Sequence, residues 1–295
     1  MTIGVAWIRE GGQGDELWVA MDSRLSRGDR RWDTCPKILT LARRDAFLAF
    51  SGATDDAYPV LLQAATSIAV RSFAATGNLE FYGLVADLQK VIDGMLTAVV
   101  RDPMHRGKKA PPPPFAESGD SIVFAGFSRK GAGFEIRKLG FNPSSGWRFA
   151  RMPPRETYGG RKRFVTFGDG YARSALTYRL KNRLAEAGKL ASDEPFRFEP
   201  LEALWSLLRE PEYPNGRRPR SCGGAPQVLR VVAGGSATHI AIRWPGDQPG
   251  KDYVCGRPLG AQESVDLALM TQQSAAPALR LELHAPGDWP TASLT

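Results

Sequence analysis

Residues 1–10 read MTIGVAWIRE and residues 19–28 read VAMDSRLSRG. In the first stretch Ile3, Val5 and Trp7 alternate with smaller side chains, the period-two pattern of a strand. We read Thr2–Arg9 and Leu17–Leu25 as paired strands joined by the loop GGQGDE over residues 11–16. Thr2 then heads the first strand, and Asp22 stands at the end of the second. A strand whose first residue after Met1 is a small hydroxyl residue raises a chemical question, because a threonine exposed as a chain terminus is a nucleophile with a built-in base.

Working outward, Lys37–Leu41 and Ala46–Phe50 read as a second strand pair, turned at Arg43–Asp45. Residues 51–57, SGATDDA, break the strand pattern and open a helix. Asp55 and Asp56 suit the first turn of that helix, where carboxylates meet unpaired N–H groups. We expect helices over Asp56–Phe73 and Leu79–Val100, the second carrying Leu84, Leu88, Val91, Ile92, Met95 and Val99 on one face. Residues 101–119 contain GKKAPPPPF, which cannot continue a helix and reads as a surface loop. Strands follow over Ser121–Ser128, Gly133–Leu139, Gly146–Met152 and Arg163–Phe167. Helices follow over Gly170–Ala187 and Leu201–Glu210. Gln227–Val232 and Thr238–Trp244 form a hairpin through AGGS. The alternation of strand runs and helix pairs predicts an α+β fold. We expect a four-layer αββα sandwich, two antiparallel sheets flanked by helix pairs, over residues 1–245. Residues 246–295 read weakly, as an extension forming a hairpin or a subunit-contact arm.

The chain has 295 residues and a formal net charge of +8. Arg27/Arg30/Arg31, Arg106/Lys108/Lys109, Arg161/Lys162/Arg163 and Arg217/Arg218/Arg220 form basic clusters in predicted loops without interleaved aromatics. We read them as solvated loops and oligomer contacts rather than a nucleic-acid surface. No apolar run reaches the roughly 20 residues a membrane helix needs, and Thr2–Ile8 is too short for the apolar core of a signal peptide. Three cysteines, Cys35, Cys222 and Cys255, give no disulfide framework and fit a reducing cytoplasm. His105, His239 and His284 are scattered, so neither a metal nor a cofactor is expected.

Methionine aminopeptidases remove Met1 when a small side chain follows, which would leave Thr2 with a free α-amine beside its hydroxyl. The amine can accept the hydroxyl proton. An α-amine titrates near pH 8, and a neighbouring cation lowers that value by opposing the ammonium form. A buried cation in turn needs a carboxylate. The set expected is therefore Thr2, Lys37 and Asp22. The backbone N–H of Gly52, at the strand-to-helix turn, would bind an oxyanion.

These residues carry a resemblance. Thr2, VAMDSRLSRG, CPKIL (residues 35–39) and AFSGATDDA (residues 49–57) resemble the first third of proteasome β-type subunits and of the bacterial two-component protease HslV, members of the N-terminal nucleophile hydrolases. Lys37 lies 15 residues after Asp22, as in that family. The glycine of its G-x-x-x-D element is Gly52 here. The resemblance implies Thr2 as nucleophile, Lys37 and Asp22 as its charged support, Gly52 as oxyanion donor and Ser23 as part of a structural D-S-R element. Two later stretches are similar more faintly: FGDGYA (residues 167–172) to a G-S-G-x-x-Y-A element, and CGGAPQV (residues 222–228) to an S-G-G element. Asp169 lies closest to the serine of the first, Cys222 replaces the serine of the second, and Pro219 replaces a supporting Asp. Asp169 and Cys222 are thus candidates to surround the nucleophile.

The resemblance implies a threonine-type peptidase or amidohydrolase acting on peptide or protein substrates. It also implies a homo-oligomeric ring served by a separate ATPase unfoldase. The chain itself lacks the phosphate-binding GxxxxGK[ST] motif. Two other readings share the fold: an inactive scaffold subunit, and a stand-alone hydrolase of small amides.

Overall fold

The computed structural model describes residues 2–12, 14–27, 30–71, 79–98, 115, 121–152, 155–156, 162–209, 222–245, 250–273 and 279–290. The Pro-rich stretch apart from Phe115, the far ends of the first two predicted helices, and the basic residues Arg106, Lys108, Lys109, Arg161, Arg217, Arg218 and Arg220 lie outside them, as do His105, Glu210 and Pro219.

The chain opens with β1 (Ile3–Gly11) and β2 (Gly14–Met21), paired antiparallel from Gly4↔Met21 to Gly11↔Gly14. The GGQGDE stretch is therefore mostly strand, not a six-residue loop. Glycine at position 14, with φ of +109°, lets the turn close tightly. β2 ends at Met21, which leaves Asp22 as the first residue beyond the ladder. Next come two short strands, β3 (Leu25–Arg27) and β4 (Arg30–Trp32), which pair with each other as a ribbon. β5 (Ile38–Thr40), β6 (Ala46–Ser51), helices α1 (Thr54–Ala69) and α2 (Phe81–Thr97), then β7 (Ser121–Ser128), β8 (Gly133–Asn142) and β9 (Gly146–Arg151) follow. After β10 (Arg155–Glu156) and β11 (Arg163–Gly168) come α3 (Gly170–Glu186) and α4 (Glu199–Arg209). The chain continues through β12 (Gln227–Val232), β13 (Ala237–Arg243), β14 (Asp252–Val254), β15 (Arg257–Pro258), β16 (Leu269–Gln272) and β17 (Leu281–His284).

The expected four-layer αββα sandwich of two antiparallel sheets is overturned: among the described residues the strands form three sheets. One has ten strands, with the path β10-β11-β1-β2-β12-β13-β14-β15 and β16 and β17 joined through β13. One has five, in the order β5-β6-β7-β8-β9, and the third is the β3–β4 ribbon. The physical reasons are local. β3 and β4 pair antiparallel from Leu25↔Trp32 to Arg27↔Arg30, and the Arg24 guanidinium clasps both Asp33 carboxylate oxygens at 2.6 Å, stapling the base of the ribbon. Strands β16 and β17 add to the ten-stranded sheet, where β16 pairs parallel with β13.

Three apolar clusters hold these layers. Trp7, Trp18 and Val228 of the ten-stranded sheet pack on Leu176, Leu180, Leu184, Leu204 and Trp205 of α3 and α4. Leu48, Phe50 and Phe124 of the five-stranded sheet meet Leu61, Ile68, Leu84, Leu88 and Ile92 of α1 and α2. Val19, Met21, Phe47, Val123 and Leu229 bring strands of the two large sheets together. Alternation along β1 explains the division: Val5 and Trp7 point one way, Ala6 and Ile8 the other. Among the described residues no helix is long and apolar enough to cross a membrane.

Candidate active site

β1, β2 and β5 bring Thr2, Asp22 and Lys37 to one point. Thr2 precedes β1, Asp22 follows β2, and Lys37 precedes β5. The backbone draws the first two together: the Asp22 N–H donates to the Ile3 carbonyl at 3.1 Å. The Lys37 ammonium lies 3.0 Å from Thr2 Oγ1 and 2.9 Å from Asp22 Oδ1. All three are buried, at 5% exposure for Thr2, 0% for Asp22 and 1% for Lys37.

Burying an ion pair is costly unless its remaining donors and acceptors are matched. Here they are. Asp22 Oδ1 also accepts the Ile3 N–H at 3.1 Å, while Oδ2 accepts the Gly223 N–H at 3.2 Å and the Arg24 N–H at 3.3 Å. The ammonium donates to Thr2 Oγ1, so the hydroxyl's own proton must point elsewhere. That geometry favours a Thr2 oxygen bearing developing negative charge.

Of the other candidates, Gly52 follows β6 with φ of +108°, a left-handed conformation that glycine alone adopts without strain. The Phe50 N–H donates to the Lys37 carbonyl at 3.2 Å, which sets the end of β6 beside the lysine two residues before Gly52. Gly52 is not among the groups that bond the three buried side chains. Ser23 has a structural task. Its hydroxyl lies 2.7 Å from the Asp33 carbonyl and 2.8 Å from the Ala225 carbonyl, tying the ribbon base to the segment before β12. Asp169 meets Thr2 through its backbone, whose N–H donates to the Thr2 carbonyl at 2.8 Å. Its carboxylate is turned away and caps α3, accepting the Tyr171 and Ala172 N–H groups at 3.1 and 3.0 Å.

Cys222 is buried, and burial raises its thiol well above the ordinary range, with the negative charge of Asp22 adding to the effect. Burial also raises Cys35 and Cys255, opposed at Cys35 by the Tyr58 hydroxyl and at Cys255 by Arg257. All three cysteines are free. The thiolate is the reactive form, so alkylation by iodoacetamide near neutral pH should be slow at all three in the folded protein and fast after unfolding. Rapid labelling of native Cys222 would contradict its burial. Among the described residues no group of three or more His, Cys, Asp and Glu could hold a metal.

Two features of the site were not anticipated from sequence. Gly168, with φ of +101°, stands where any Cβ would overlap the Thr2 carbonyl oxygen, so the strand β11 can approach Thr2 only through a glycine. Gln227 is fully buried and touches both site loops, as described below. The signals were present: a glycine on either side of Asp169 in FGDG, and a lone amide opening the apolar strand QVLRVV. Neither spacing nor periodicity says what such residues face.

The chain matches no protein-family model and no curated protein.

Proposed function

We propose that the protein is a threonine-nucleophile amide hydrolase, a peptidase or amidohydrolase in which Thr2 becomes the first residue once Met1 is removed. The observation that carries this reading is the buried Lys37 ammonium, bonded at once to Thr2 Oγ1 and Asp22 Oδ1. A lysine and an aspartate sealed from water contribute little net stability compared with an apolar pair. Their chemistry accounts for the arrangement better than stability does.

In the proposed mechanism Thr2 Oγ1 attacks an amide carbonyl carbon. The Thr2 α-amine accepts the hydroxyl proton and returns it to the leaving nitrogen. Lys37 stabilises the negative charge on Thr2 Oγ1 and, by its own charge, favours the neutral amine. Asp22 fixes the lysine. The Gly52 N–H takes the role of oxyanion donor. Water then attacks the ester between substrate acyl group and Thr2, releasing the acid and restoring the hydroxyl. The resemblance of residues 2–60 to N-terminal nucleophile hydrolases supports the same roles, with a homo-oligomeric ring, a separate ATPase unfoldase and a cytoplasmic setting as its corollaries.

Hydrolysis of a fluorogenic peptide mixture tests the reading with three chains. Wild type and Thr2→Ser, which keeps both hydroxyl and amine, should cleave. Thr2→Ala should not. Equal cleavage by Thr2→Ala would remove Thr2 from the chemistry.

A further inference from the structure

We propose that Gln227 is a positioning residue that fixes the Lys37 loop against the Asp22 loop, an inference that rests on the catalytic reading of Lys37 above. Gln227 is the first residue of β12, and its backbone pairs with Met21, the last residue of β2. From there its side chain reaches across to the segment before β5. Its Oε1 accepts the Lys37 N–H at 2.8 Å. Its Nε2 donates to the Cys35 carbonyl at 2.6 Å and approaches the Asp22 carbonyl at 3.4 Å. The carboxamide is 0% exposed, and three backbone groups from two loops converge on it.

The chemistry of these contacts admits one side chain. The partner on one side is a donor, and both partners on the other are acceptors. Only an amide offers an acceptor and a two-proton donor in one plane. Residues 34–37 form no strand, and Pro36 can donate no hydrogen bond. The Lys37 backbone is anchored by the Phe50 N–H on its carbonyl and by Gln227 on its own N–H. Loss of the amide would free one of these two anchors while leaving the Lys37 side chain and Asp22 chemically intact. A lysine displaced by an ångström no longer spans both Thr2 Oγ1 and Asp22 Oδ1.

The test uses the full-length chain and two variants. Gln227→Glu preserves size and puts an oxygen against the Cys35 and Asp22 carbonyls. Gln227→Leu removes all polar partners. The first readout does not depend on activity: acetylation by acetic anhydride, mapped by peptide mass. Lys37 is protected by burial, Lys130 is exposed, and Lys162 is equally buried beside Ser192 and serves as the folding control. Both variants should acetylate Lys37 about tenfold faster while Lys162 stays protected, as expected for a local opening. The second readout is inactivation by a β-lactone probe, where the maximal rate should fall about a hundredfold with little change in probe binding.

Unchanged protection of Lys37 would overturn the proposal. So would a parallel rise at Lys37 and Lys162, which would make Gln227 a general support of the fold. Selective loss of Lys37 protection in a protein whose wild type forms no adduct at all would uphold the positioning role and sink the threonine reading instead.

Discussion

Replacing Lys37 by alanine should remove covalent labelling of Thr2 almost completely and destabilise the fold. The activity loss follows from geometry, since the ammonium is the cation that touches Thr2 Oγ1. Loss of one preorganised electrostatic donor typically lowers rates on the order of 10²- to 10³-fold. The stability loss has a separate origin. Asp22, at 0% exposure, would be left with three backbone N–H groups and no cation bonded to it. Removing one partner of a buried ion pair costs about 3–5 kcal/mol. The two effects can be separated by the double variant Lys37→Met with Asp22→Asn. The amide oxygen still accepts from the Ile3 N–H and the methionine fills the lysine's volume, but the amide nitrogen faces the Gly223 and Arg24 N–H groups, a donor against two donors. Urea unfolding should therefore show only part of the lost stability restored, the uncompensated charge being gone, while Thr2 labelling stays absent. Recovery of labelling together with stability would mean that Lys37 is only a structural lysine.

Gly168→Ala should be the most damaging single methyl group near the site. Its φ of +101° strains any residue with a Cβ, and the added carbon would overlap the Thr2 carbonyl oxygen. That oxygen also accepts the Asp169 N–H, so it cannot rotate away without breaking the join between β1 and α3. Strain and overlap together should cost at least about 2 kcal/mol. Gly188, just past α3 with φ of +67°, is the control, because nothing lies within 4 Å of a Cβ there. Gly188→Ala should cost only the left-handed penalty, about 1 kcal/mol. Melting temperatures of the two variants measure the difference. Equal shifts would mean that β11 can retreat from Thr2.

The three side chains at the centre of the site were legible in sequence because strand ends carry them. Once residues 3–11 and 14–21 pair, Thr2 and Asp22 must be neighbours, since the ladder register leaves them at the same end. Lys37 stands at the head of a predicted strand, and its ammonium lies 2.9 Å from Asp22 Oδ1. The sheet organisation was not legible. The segment between Asp22 and Lys37 has too few residues per strand to show a period, so its sequence carries no mark of the β3–β4 ribbon. Its closure depends on the Arg24–Asp33 contact, which no local pattern announces. After residue 245 the sequence offers only a hairpin or a subunit-contact arm without strand bounds, because β14 to β17 are two to four residues long. Gln227 illustrates a further limit. A buried amide is chosen by the donors and acceptors around it, and those come from Asp22, Cys35 and Lys37, roughly 190 residues or more away in sequence.

The central claim is that Thr2 is a working nucleophile. The most direct measurement is the intact mass of the purified protein before and after a β-lactone or epoxyketone probe, with the adduct mapped to a residue and Thr2→Ala as control. The account predicts a chain lighter by one methionine, one adduct per chain on Thr2, and none in the control. A chain that keeps Met1 and takes up no probe would contradict it, because the amine and hydroxyl of Thr2 would then never act together.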